Sequence, residues 1–463
     1  MTDQHDVIVI GGGPVGENVA GRCADGGLSV LLVERELVGG ECSYWACMPS
    51  KALLRPGEVL AAARRVPGAA AAVTGTIDAE AAFARRDELV SNYDDKYQVQ
   101  WVNDVGVELL RGHGRLAGER TVEVETADGT RTLTATKAVV LATGSVPSIP
   151  PIDGLAGLQV WGSRDATGAK EVPRRLLVLG AGVVAVEMAQ AFKRLGSEEV
   201  TLVTRDGTLL TREEPFAGKE LREAMEAEGI VIRCGTTVSA CGRDASDGPV
   251  TLTLDDGTTL TGDELLVATG RTPRTLDAGV DTAGLEPGKA VEVDDQLRAT
   301  GVPGGWLYAT GDVNGRALLT HQGKYQARLA ADAILGKQVE AFADHVAVPR
   351  VIFTDPQVAA VGLTEAQARD QGLSIRVVTH PTGGVAGSSV AGRDAVGTSQ
   401  LVIDEDARVI VGATFTGYGV AELLHSATIA IVGRVPLDRL WHAVPSFPTV
   451  SEVWLRLLEA YGL

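Results

Sequence analysis

Short apolar runs alternate with helical patterns through much of the chain, and glycines stand where one pattern gives way to the next. Residues 6–10 are an apolar run that ends in Gly11-Gly12-Gly13-Pro14-Val15-Gly16, and a helical pattern continues to Ala24. A second apolar run, residues 29–33, ends in Glu34. This order predicts a strand, a glycine turn, a helix and a second strand, as in a dinucleotide-binding unit.

Each glycine of this turn is explained by a steric requirement of nucleotide binding. The first glycine permits the tight turn, the second lets the backbone approach a pyrophosphate, and the third allows close helix packing. The phosphates would lie at the positive end of the helix, and an acid at the end of the second strand can accept hydrogen bonds from a ribose. The predicted nucleotide contacts are Gly11, Gly13, Pro14, Gly16 and Glu34.

The same order occurs a second time. An apolar run at 176–179 leads into Gly180-Ala181-Gly182-Val183-Val184-Ala185, a helical pattern over 186–195 and a strand at 200–203. The chain is therefore predicted to bind two dinucleotides, and two such units beside one cysteine pair imply electron transfer between nucleotides and thiols.

Two turns echo each other and support the internal repeat. Thr143-Gly144-Ser145 follows an apolar strand at 137–142, and Thr269-Gly270-Arg271 follows another at 265–268. Pro147, Pro150 and Pro151 mark a linker after the first of these turns.

The remaining elements are assigned from their patterns. Residues 52–110 are mostly helical with a break at 67–75, and Gly112-His113-Gly114 is interpreted as a turn. The other predicted elements are a hairpin of strands 121–125 and 131–135, a strand over 307–312, a helix over 318–335, and strands at 349–354, 374–379, 400–403 and 409–416.

Length and charge limit the classes of function. A chain of 463 residues exceeds what one hydrophobic core normally organises. The formal net charge of -18 argues against nucleic acid and anionic membrane surfaces as partners. We expect no leader segment and no membrane span, because residues 1–6 are polar without a basic region and no apolar run approaches the roughly 18 residues that span a bilayer. We expect a cytoplasmic protein.

Five cysteines divide into one close pair and three isolated residues. Cys42 and Cys47 could close a small, reducible disulfide, and so short a loop adds little stability, which favours a redox role. The alternative is two unrelated buried thiols, or half of a metal site. Cys23, Cys234 and Cys241 are interpreted as structural, and no metal site is predicted.

Residues 39–51 read Gly-Gly-x-Cys-x4-Cys-x-Pro-Ser-Lys, and this segment resembles the redox-active segment of the flavoprotein disulfide reductases. By that resemblance Cys42 is the interchange thiol that attacks substrate and Cys47 lies against the flavin. Lys51 would sit near flavin N5 and pair with Glu187. The residues between the cysteines, Ser43 to Ala46, depart from the usual Leu-Asn-Val-Gly and leave the shape of the substrate open.

The resemblance implies a fold and a division of the chain. The expected class is α/β, with two Rossmann-like dinucleotide-binding domains and a C-terminal α+β dimerisation domain. The expected segments are 1–150 (FAD), 151–275 (NAD(P)), 276–345 (return to the FAD and central domain) and 346–463 (dimerisation). The family forms homodimers in which each active site takes its last residues from the partner.

The resemblance also extends the cofactor sites. FAD is expected at the first glycine turn, and the further FAD-binding candidates are Gly114, Thr143, Gly144, Ser145, Asp312, Leu318, Leu319, Thr320 and His321. Candidates on the nicotinamide side are Gly180, Gly182, Ala185, Glu187, Val238 and Gly270.

The second nucleotide is predicted to be NADP. The strand at 200–203 ends in Thr204-Arg205, where an NAD site would usually offer an acid, and an Arg can pair with a 2′-phosphate. Arg212 is a second candidate for that phosphate. The alternative is that Arg205 is an ordinary surface charge, and NADH then serves as well.

The C-terminal segment departs from the family. The usual catalytic His before Pro-Thr-x-Ser-Glu is replaced by Phe447 when the chain is aligned on that motif, and by Val444 when it is aligned from His442. Glu452, which orients that His in the family, remains. His442 is the alternative base, reaching inwards from a three-residue insertion.

These features predict an enzyme that passes electrons from NADPH through FAD to the Cys42–Cys47 disulfide and on to a small-molecule acceptor. The acceptor is left open among a small disulfide, a soft metal ion and a quinone-like compound. The alternatives are a dihydrolipoamide dehydrogenase-like enzyme and a redox-sensing flavoprotein partner without sustained turnover.

Overall fold

Strands and helices alternate along the whole chain. The computed structural model describes residues 3–243, 245, 248–393 and 395–463. The strands are β1 (Gln4–Ile10), β2 (Val30–Glu34), β3 (Glu108–Arg111), β4 (His113–Leu116), β5 (Thr121–Thr126), β6 (Gly129–Leu141), β7 (Ser145–Pro147), β8 (Arg175–Leu179), β9 (Glu199–Val203), β10 (Val231–Arg233), β11 (Val238–Arg243), β12 (Val250–Leu254), β13 (Thr259–Gly262), β14 (Glu264–Val267), β15 (Arg271–Pro273), β16 (Leu307–Ala309), β17 (Arg350–Ile352), β18 (Gln357–Gly362), β19 (Ile375–Pro381), β20 (Thr398–Asp404) and β21 (Val409–Gly417).

The helices connect these strands. They are α1 (Pro14–Asp25), α2 (Gly40–Tyr44), α3 (Cys47–Arg65), α4 (Pro67–Ala70), α5 (Ala79–Leu89), α6 (Lys96–Asp104), α7 (Ser163–Gly168), α8 (Val183–Leu195), α9 (Pro215–Ala227), α10 (Thr320–Ile334), α11 (Phe342–Val346), α12 (Glu365–Asp370), α13 (Ala386–Ala391), α14 (Val420–Val432), α15 (Leu437–Leu440) and α16 (Val453–Tyr461). In the described part of the chain, none of them is long and apolar enough to cross a bilayer.

The chain contacts divide into two compact units, each built from three separate stretches. The first unit comprises residues 1–49, 87–148 and 271–345, and the second comprises 50–86, 149–270 and 346–463. The division into four segments expected from the sequence stays a prediction.

The first unit is organised by a seven-stranded sheet. Strands β3, β2, β1, β6 and β16 run parallel in that order, and β4 and β5 extend β6 as an antiparallel hairpin. Residues of β1 and β2 are buried on both faces, which explains their unbroken apolar runs. Because β16 pairs with β6, the chain returns to the first sheet at 307–309.

The extent of strand β6 differs from the sequence-based assignment. The sequence predicted a hairpin strand at 131–135 and a separate buried strand at 137–142, whereas Gly129–Leu141 is one continuous strand. Its first half pairs with β5 and alternates between exposed and buried side chains. Its last four residues, 138–141, are buried next to parallel neighbours, and this change from alternating to continuous burial led the sequence analysis to assign two strands.

Helices α1 and α10 pack against each other in the first unit. Val15 lies so close to Gly323 that a Cβ on this glycine would come 2.6 Å from Val15 Cγ2. The contact places the first turn of α1 directly beside the first turn of α10.

The second unit contains two sheets in its middle stretch. Strands β10, β9, β8 and β14 form a parallel sheet, and β11, β12 and β13 form an antiparallel one. Helix α8 buries most of its length against the first of these sheets. The helix begins at Val183, three residues earlier than the pattern suggested.

A five-stranded antiparallel sheet forms the C-terminal part of the second unit, in the order β17, β18, β21, β20, β19. Helices α14 and α16 pack on it around a core that includes Phe415 and Leu457. The sequence analysis assigned neither β18 nor α14. The apolar run of α14 shows little helical periodicity in its sequence because apolar residues, Ile429 and Val432, also lie on its exposed side.

Candidate active site

Cofactor candidates of the first unit meet at one edge of its sheet. Gly11 follows β1, Thr143 follows β6 and Asp312 follows β16, each just beyond the carboxyl end of a parallel strand. Glu34 is the last residue of β2. Ligands of open α/β sheets bind at this edge, so the topology brings these four candidates to one side.

The first glycine turn is closed so tightly that side chains do not fit. Gly11 has φ +106°, and a Cβ there would lie 2.4 Å from the carbonyl oxygen of Ala142. A Cβ on Gly16 would lie 1.8 Å from the carbonyl oxygen of Gly11. Gly13, by contrast, has only Gly40 Cα near its Cβ position, at 3.9 Å, so its backbone is open to a ligand.

The Glu34 carboxylate is fixed by two backbone donors. Its Oε2 accepts the N–H of Gly12 at 2.6 Å, and its Oε1 accepts the N–H of Glu36 at 2.7 Å. The side chain is 9% exposed. These bonds hold a carboxylate beside the glycine turn, in the place where a ribose acceptor is required.

Asp312, Ser145 and Arg271 form a hydrogen-bonded chain. Ser145 Oγ donates to Asp312 Oδ2 at 2.5 Å, and Arg271 Nε donates to Ser145 Oγ at 2.6 Å. Burial raises the pKa of Asp312, although Ser145 and Arg271 oppose this. One assignment is corrected: Asp312 does not end a strand, because β16 stops at Ala309 and Asp312 lies in a following 3₁₀ turn.

Cys42 and Cys47 are adjacent thiols. Cys42 lies in α2, Cys47 is the first residue of α3, and Cys47 Sγ lies 3.3 Å from Thr320 Oγ1 at the start of α10. The hydrogen bond with Cys47, and then burial, raise the pKa of the Cys42 thiol, while Thr320 and Lys324 act in the opposite direction. Two sulfurs that share a hydrogen bond are close enough for redox exchange.

The remaining residues predicted to bind FAD lie at the start of α10 and in β4. Leu318 and Leu319 precede α10, and His321 is in its first turn with an exposed side chain. The turn assigned to Gly112–Gly114 is wrong in part, because His113 and Gly114 begin β4. A Cβ on Gly114 would come 2.9 Å from Val33 Cγ1, so the glycine is needed for packing against β2.

In the second unit, Lys51 and Glu187 form an ion pair. Lys51 Nζ lies 2.8 Å from Glu187 Oε2, and the N–H of Phe353 donates to Glu187 Oε1 at 2.9 Å. Glu187 is 2% exposed. The ammonium also lies 4.8 Å from the centroid of the Phe353 ring. This pairing was expected from the sequence, and the contribution of Phe353 was not.

The second glycine turn repeats the geometry of the first. Gly180 has φ +132°, and a Cβ there would lie 2.3 Å from the carbonyl oxygen of Ala268. In the same way Gly11 faces the oxygen of Ala142, the residue before Thr143-Gly144-Ser145. Ala185 is fully buried in α8, and Gly182 is its N-cap.

Two arginines stand near the carboxyl edge of the second parallel sheet. Arg205 follows β9 by two residues, Arg212 lies further along the same loop, and both are exposed. Neither makes an ion pair or hydrogen bond with another described residue. Val238 lies in β11 with its side chain buried in a core cluster, and Gly270 follows β14.

A family model for pyridine nucleotide-disulphide oxidoreductases matches residues 5–333, and the model for the dimerisation domain of these enzymes matches residues 348–457. The chain belongs to this family. Its members are FAD-dependent, and the fold described above is theirs.

Related proteins cover nearly the whole chain. A dihydrolipoyl dehydrogenase from Chlorobaculum tepidum is 33% identical over 98% of this chain and 96% of its own length. A mercuric reductase from Shigella flexneri is 34% identical over 96% of this chain and 78% of its own. The Cu(II) complex of the flavoprotein disulfide reductase RclA from Escherichia coli has a TM-score of 0.87 at 24% identity, over 99% of both chains.

The first unit fits the FAD that this family uses. The open backbone at Gly13, the fixed Glu34 carboxylate and the half-buried Asp312 offer donors and acceptors along one sheet edge. Gly13, Glu34, Ser145 and Asp312 would hold the nucleotide there. In the described residues no cluster of three His, Cys, Asp or Glu side chains could hold a metal ion.

The C-terminal segment carries the departure noted in the sequence. Phe447 is 76% exposed and Val444 is 86% exposed, and His442 is exposed without a side-chain hydrogen bond to any described residue. Glu452 is 7% exposed, and its Oε2 has no hydrogen-bond partner among the described residues. In the part of the chain that the structure describes, this buried oxygen of Glu452 is therefore left without a hydrogen-bond donor.

The remaining cysteines are consistent with structural roles. Burial raises the pKa of Cys23 to about 12 and that of Cys241 to about 11, and it also raises the pKa of Cys234. Such thiols are poor nucleophiles at neutral pH.

Sequence reasoning did not single out Glu17 or Lys324. Glu17 directly follows the third glycine of the turn, and Lys324 is four positions after Thr320 in α10. The four-residue spacing of Thr320 and Lys324 could be seen in the sequence, since it places both on one face of a predicted helix. The position of Glu17 near this face could not be seen, because it depends on the packing of two segments some 300 residues apart.

Proposed function

We propose that the protein passes two electrons from NADPH, through bound FAD, to the Cys42–Cys47 pair and then to a small acceptor whose reduction needs no protonated leaving thiol. The observation that carries the proposal is the thiol pair itself, with Cys47 Sγ 3.3 Å from the Thr320 hydroxyl. When bound, FAD accepts a hydride from the nicotinamide and delivers two electrons to the disulfide.

The roles of the two cysteines follow from their surroundings. Cys47 stands at the N-terminus of α3, and its sulfur meets a hydroxyl that can donate to a thiolate. Cys42 has a raised pKa and accordingly holds a proton more firmly. We assign Cys47 as the thiolate next to the flavin and Cys42 as the thiol that meets the acceptor.

The acceptor class follows from Phe447. An acid/base His contributes roughly 10² to 10⁴-fold to proton transfer, and phenylalanine cannot replace it. Reduction of glutathione disulfide or lipoamide produces a leaving thiolate that needs a proton. A soft metal ion does not, and two thiols are soft ligands. Mercuric reductases among the relatives support a soft metal ion, and a quinone-like acceptor meets the same requirement.

The preference for NADPH rests on Arg205 and Arg212. Both side chains are exposed and unpaired among the described residues, at the loop that follows β9. A guanidinium there suits a 2′-phosphate. A homodimer with a shared active site is inferred from the dimerisation segment at 348–457 and from its exposed Val444 and Phe447.

A dihydrolipoamide dehydrogenase-like activity is the second candidate. A dihydrolipoyl dehydrogenase relative at 33% identity favours it. It requires another base at the acceptor side, for which His442 is the candidate in the same segment. A His442→Ala variant separates the two, because only the second candidate loses lipoamide turnover.

The roles of the thiols are tested by anaerobic reduction with NADPH. The unmodified protein should gain two alkylatable thiols per chain and a long-wavelength absorbance from the Cys47 thiolate beside oxidised flavin. Cys47→Ser should lose that absorbance and Cys42→Ser should keep it, while the control Cys234→Ser behaves as unmodified. The opposite pattern means that the roles are exchanged, and no new thiols means that the pair is not reduced.

A further inference from the structure

A buried carboxylate, that of Asp344 in α11, accepts three hydrogen bonds from side chains of the first unit. Its side chain is 1% exposed. Gln322 Nε2 donates to Oδ1 at 2.5 Å, and Gln326 Nε2 donates to Oδ2 at 2.9 Å. Arg316 Nη1 also donates to Oδ2, at 3.3 Å, and neutralises the charge. Buried polar groups that are satisfied in this way make their surroundings rigid.

The amide of Gln326 connects this carboxylate to the turn that carries Asp312. Gln326 is fully buried, and its Oε1 accepts the N–H of Gly311 at 2.8 Å and Asn314 Nδ2 at 2.8 Å. These two donors belong to the first and the last residue of the 3₁₀ turn Gly311–Asn314, and Asp312 lies between them. One carbonyl oxygen therefore holds both ends of the turn.

The turn is also packed closely against α10. Gly311 has φ +78°, a conformation that favours glycine, and a Cβ on Gly323 would lie 3.2 Å from Gly311 Cα. Asn314 Nδ2 donates to the carbonyl oxygen of Ala309, the last residue of β16, at 3.1 Å. The turn is thus bonded to the strand before it and packed against the helix that carries Gln326.

The two neighbours of the Gln326 amide require opposite hydrogen-bonding groups. The Asp344 carboxylate can only accept, so it must face the NH₂ group, and the N–H of Gly311 can only donate, so it must face the carbonyl oxygen. A reversed amide would place acceptor against acceptor and donor against donor. Asp344 therefore orients the amide, and the amide orients the turn.

The same carboxylate also holds the start of α10. Gln322 lies in the first turn of this helix together with Thr320, whose hydroxyl is 3.3 Å from Cys47 Sγ. Asp344 is therefore bonded through one glutamine to the turn that carries a cofactor candidate, and through another to the helix turn that meets the thiol pair.

We propose that Gln326, oriented by Asp344, is a positioning residue that holds Asp312 in place to bind FAD. This rests on the proposed function and on its FAD site at the carboxyl edge of the first sheet. It concerns binding alone and involves no transfer of electrons or protons.

The first test measures how fast the holoenzyme releases FAD on dilution, from the fluorescence of the freed flavin. Gln326→Leu leaves the buried N–H of Gly311 without its acceptor. It should speed the release of FAD about 10- to 100-fold, because a buried donor that loses its partner is costly and the turn shifts to satisfy it.

A second readout follows the turn itself. Hydrogen exchange of the Gly311 amide is measured by mass spectrometry on the peptide 309–315, with FAD in excess so that the site stays filled. Gln326→Leu should speed this exchange at least about tenfold, because local opening of the turn becomes easier when the hydrogen bond is lost.

Gln190→Leu is the matched control in the second unit. Gln190 is also buried; its Oε1 accepts the N–H of Asp355 at 2.8 Å, and its Nε2 donates to Glu228 Oε1 at 2.9 Å. This substitution should lower the melting temperature to a similar extent and leave the rate of FAD release unchanged. A general loss of stability would affect both variants, so the comparison isolates the effect on the cofactor.

A double-mutant cycle shows whether Gln326 acts through Asp312. Asp312→Ala alone should speed the release of FAD. If Gln326 acts by holding Asp312, adding Gln326→Leu to Asp312→Ala should speed the release by less than about threefold more, whereas independent effects would multiply.

Gln326→Glu tests the role of Asp344 while keeping the length of the side chain. With its proton, the introduced carboxyl group can donate to Asp344 as the amide does, and once ionised it repels Asp344. The rate of FAD release, divided by that of the unmodified enzyme at the same pH, should be close to one at about pH 5.5 and rise at least about tenfold by about pH 9. The charged groups around this position are Asp344 and Arg316, and beyond Arg316 its partner Asp295 with His345.

Release of FAD from Gln326→Leu at the unmodified rate overturns the proposal, and so do equal effects of Gln326→Leu and Gln190→Leu, or effects that multiply in the double variant. If Gln326→Leu does not fold, Gln326→Glu decides, and a ratio that is the same at both pH values overturns the proposal. If Asp312→Ala releases FAD at the unmodified rate, the proposed FAD site is wrong and the proposal falls with it.

Discussion

Lys51 and Glu187, 136 positions apart in the chain, meet in the second unit with Nζ 2.8 Å from Oε2. The carboxylate is almost fully buried, and its other oxygen accepts the N–H of Phe353 at 2.9 Å. A buried carboxylate with both oxygens bonded holds α3, α8 and the segment after β17 in one arrangement. The pair therefore supports the fold of this unit as well as the position of Lys51.

Glu187→Gln should lower the melting temperature of the holoenzyme. The amide keeps the Phe353 bond but leaves Lys51 without its charged partner, and a hydrogen bond to a charged group is worth about 1.5 to 3 kcal/mol. Glu58→Gln is the control, because the Arg55–Glu58 pair is exposed and worth about 1 kcal/mol or less. Equal melting temperatures for the two variants would show that the buried pair contributes no more to the stability of the fold than the exposed pair does.

Arg205→Glu should lower the ratio of kcat/KM for NADPH to kcat/KM for NADH about 10- to 100-fold. A charge-assisted phosphate contact is worth about 1.5 to 3 kcal/mol, and the introduced carboxylate repels the 2′-phosphate. Arg174→Glu makes the same charge change at the amino edge of the same sheet, before β8, and should have no such effect. Equal efficiency with both nucleotides in the unmodified enzyme would refute the assignment.

Stability should depend on pH through Glu17. Its pKa is raised from 4.5 to about 7 in the folded chain, so the folded state holds a proton that the unfolded state has lost. Stability from this group is present at acid pH and declines as pH rises from about 4.5 through about 7. Glu17→Gln should gain about 2 to 3 kcal/mol relative to the unmodified protein between pH 5 and pH 8. Thermal unfolding at both values measures this, and a constant difference would contradict it.

Phe447→His should install the missing acid/base. Glu452 has a buried oxygen with no hydrogen-bond partner among the described residues, and the family resemblance aligns it with the carboxylate that orients this His. Turnover of glutathione disulfide should rise at least about tenfold, within the roughly 10² to 10⁴-fold reach of a positioned base. Phe447→Leu should not raise it, and Glu452→Gln added to Phe447→His should remove most of the gain. Reduction of the thiol pair by NADPH should stay unchanged in all three variants.

The sequence was sufficient wherever a local pattern determines the structure. Gly11 and Gly180 were assigned to tight turns from spacing alone, and both have positive φ and no room for a side chain. The partnership of Lys51 with Glu187 came from the family resemblance. The sequence could not show that Thr320 meets Cys47 or that the charge of Lys324 acts on Glu17, because both depend on how distant segments pack. Strand β6 was divided in two because its neighbours change from antiparallel to parallel along its length.

The most direct measurement mixes the NADPH-reduced enzyme with glutathione disulfide and with 5,5′-dithiobis(2-nitrobenzoate) in a stopped-flow instrument. Each rate of oxidation is divided by the rate of the same disulfide with free dithiothreitol at the same pH, which removes the intrinsic reactivity of the acceptor. If electrons leave through Cys42 without a proton donor for the leaving thiol, the normalised rate with the aryl disulfide should exceed that with glutathione disulfide by about 10² or more. Cys42→Ser should abolish both reactions. Equal normalised rates, or unimpaired oxidation of Cys42→Ser, would contradict the account.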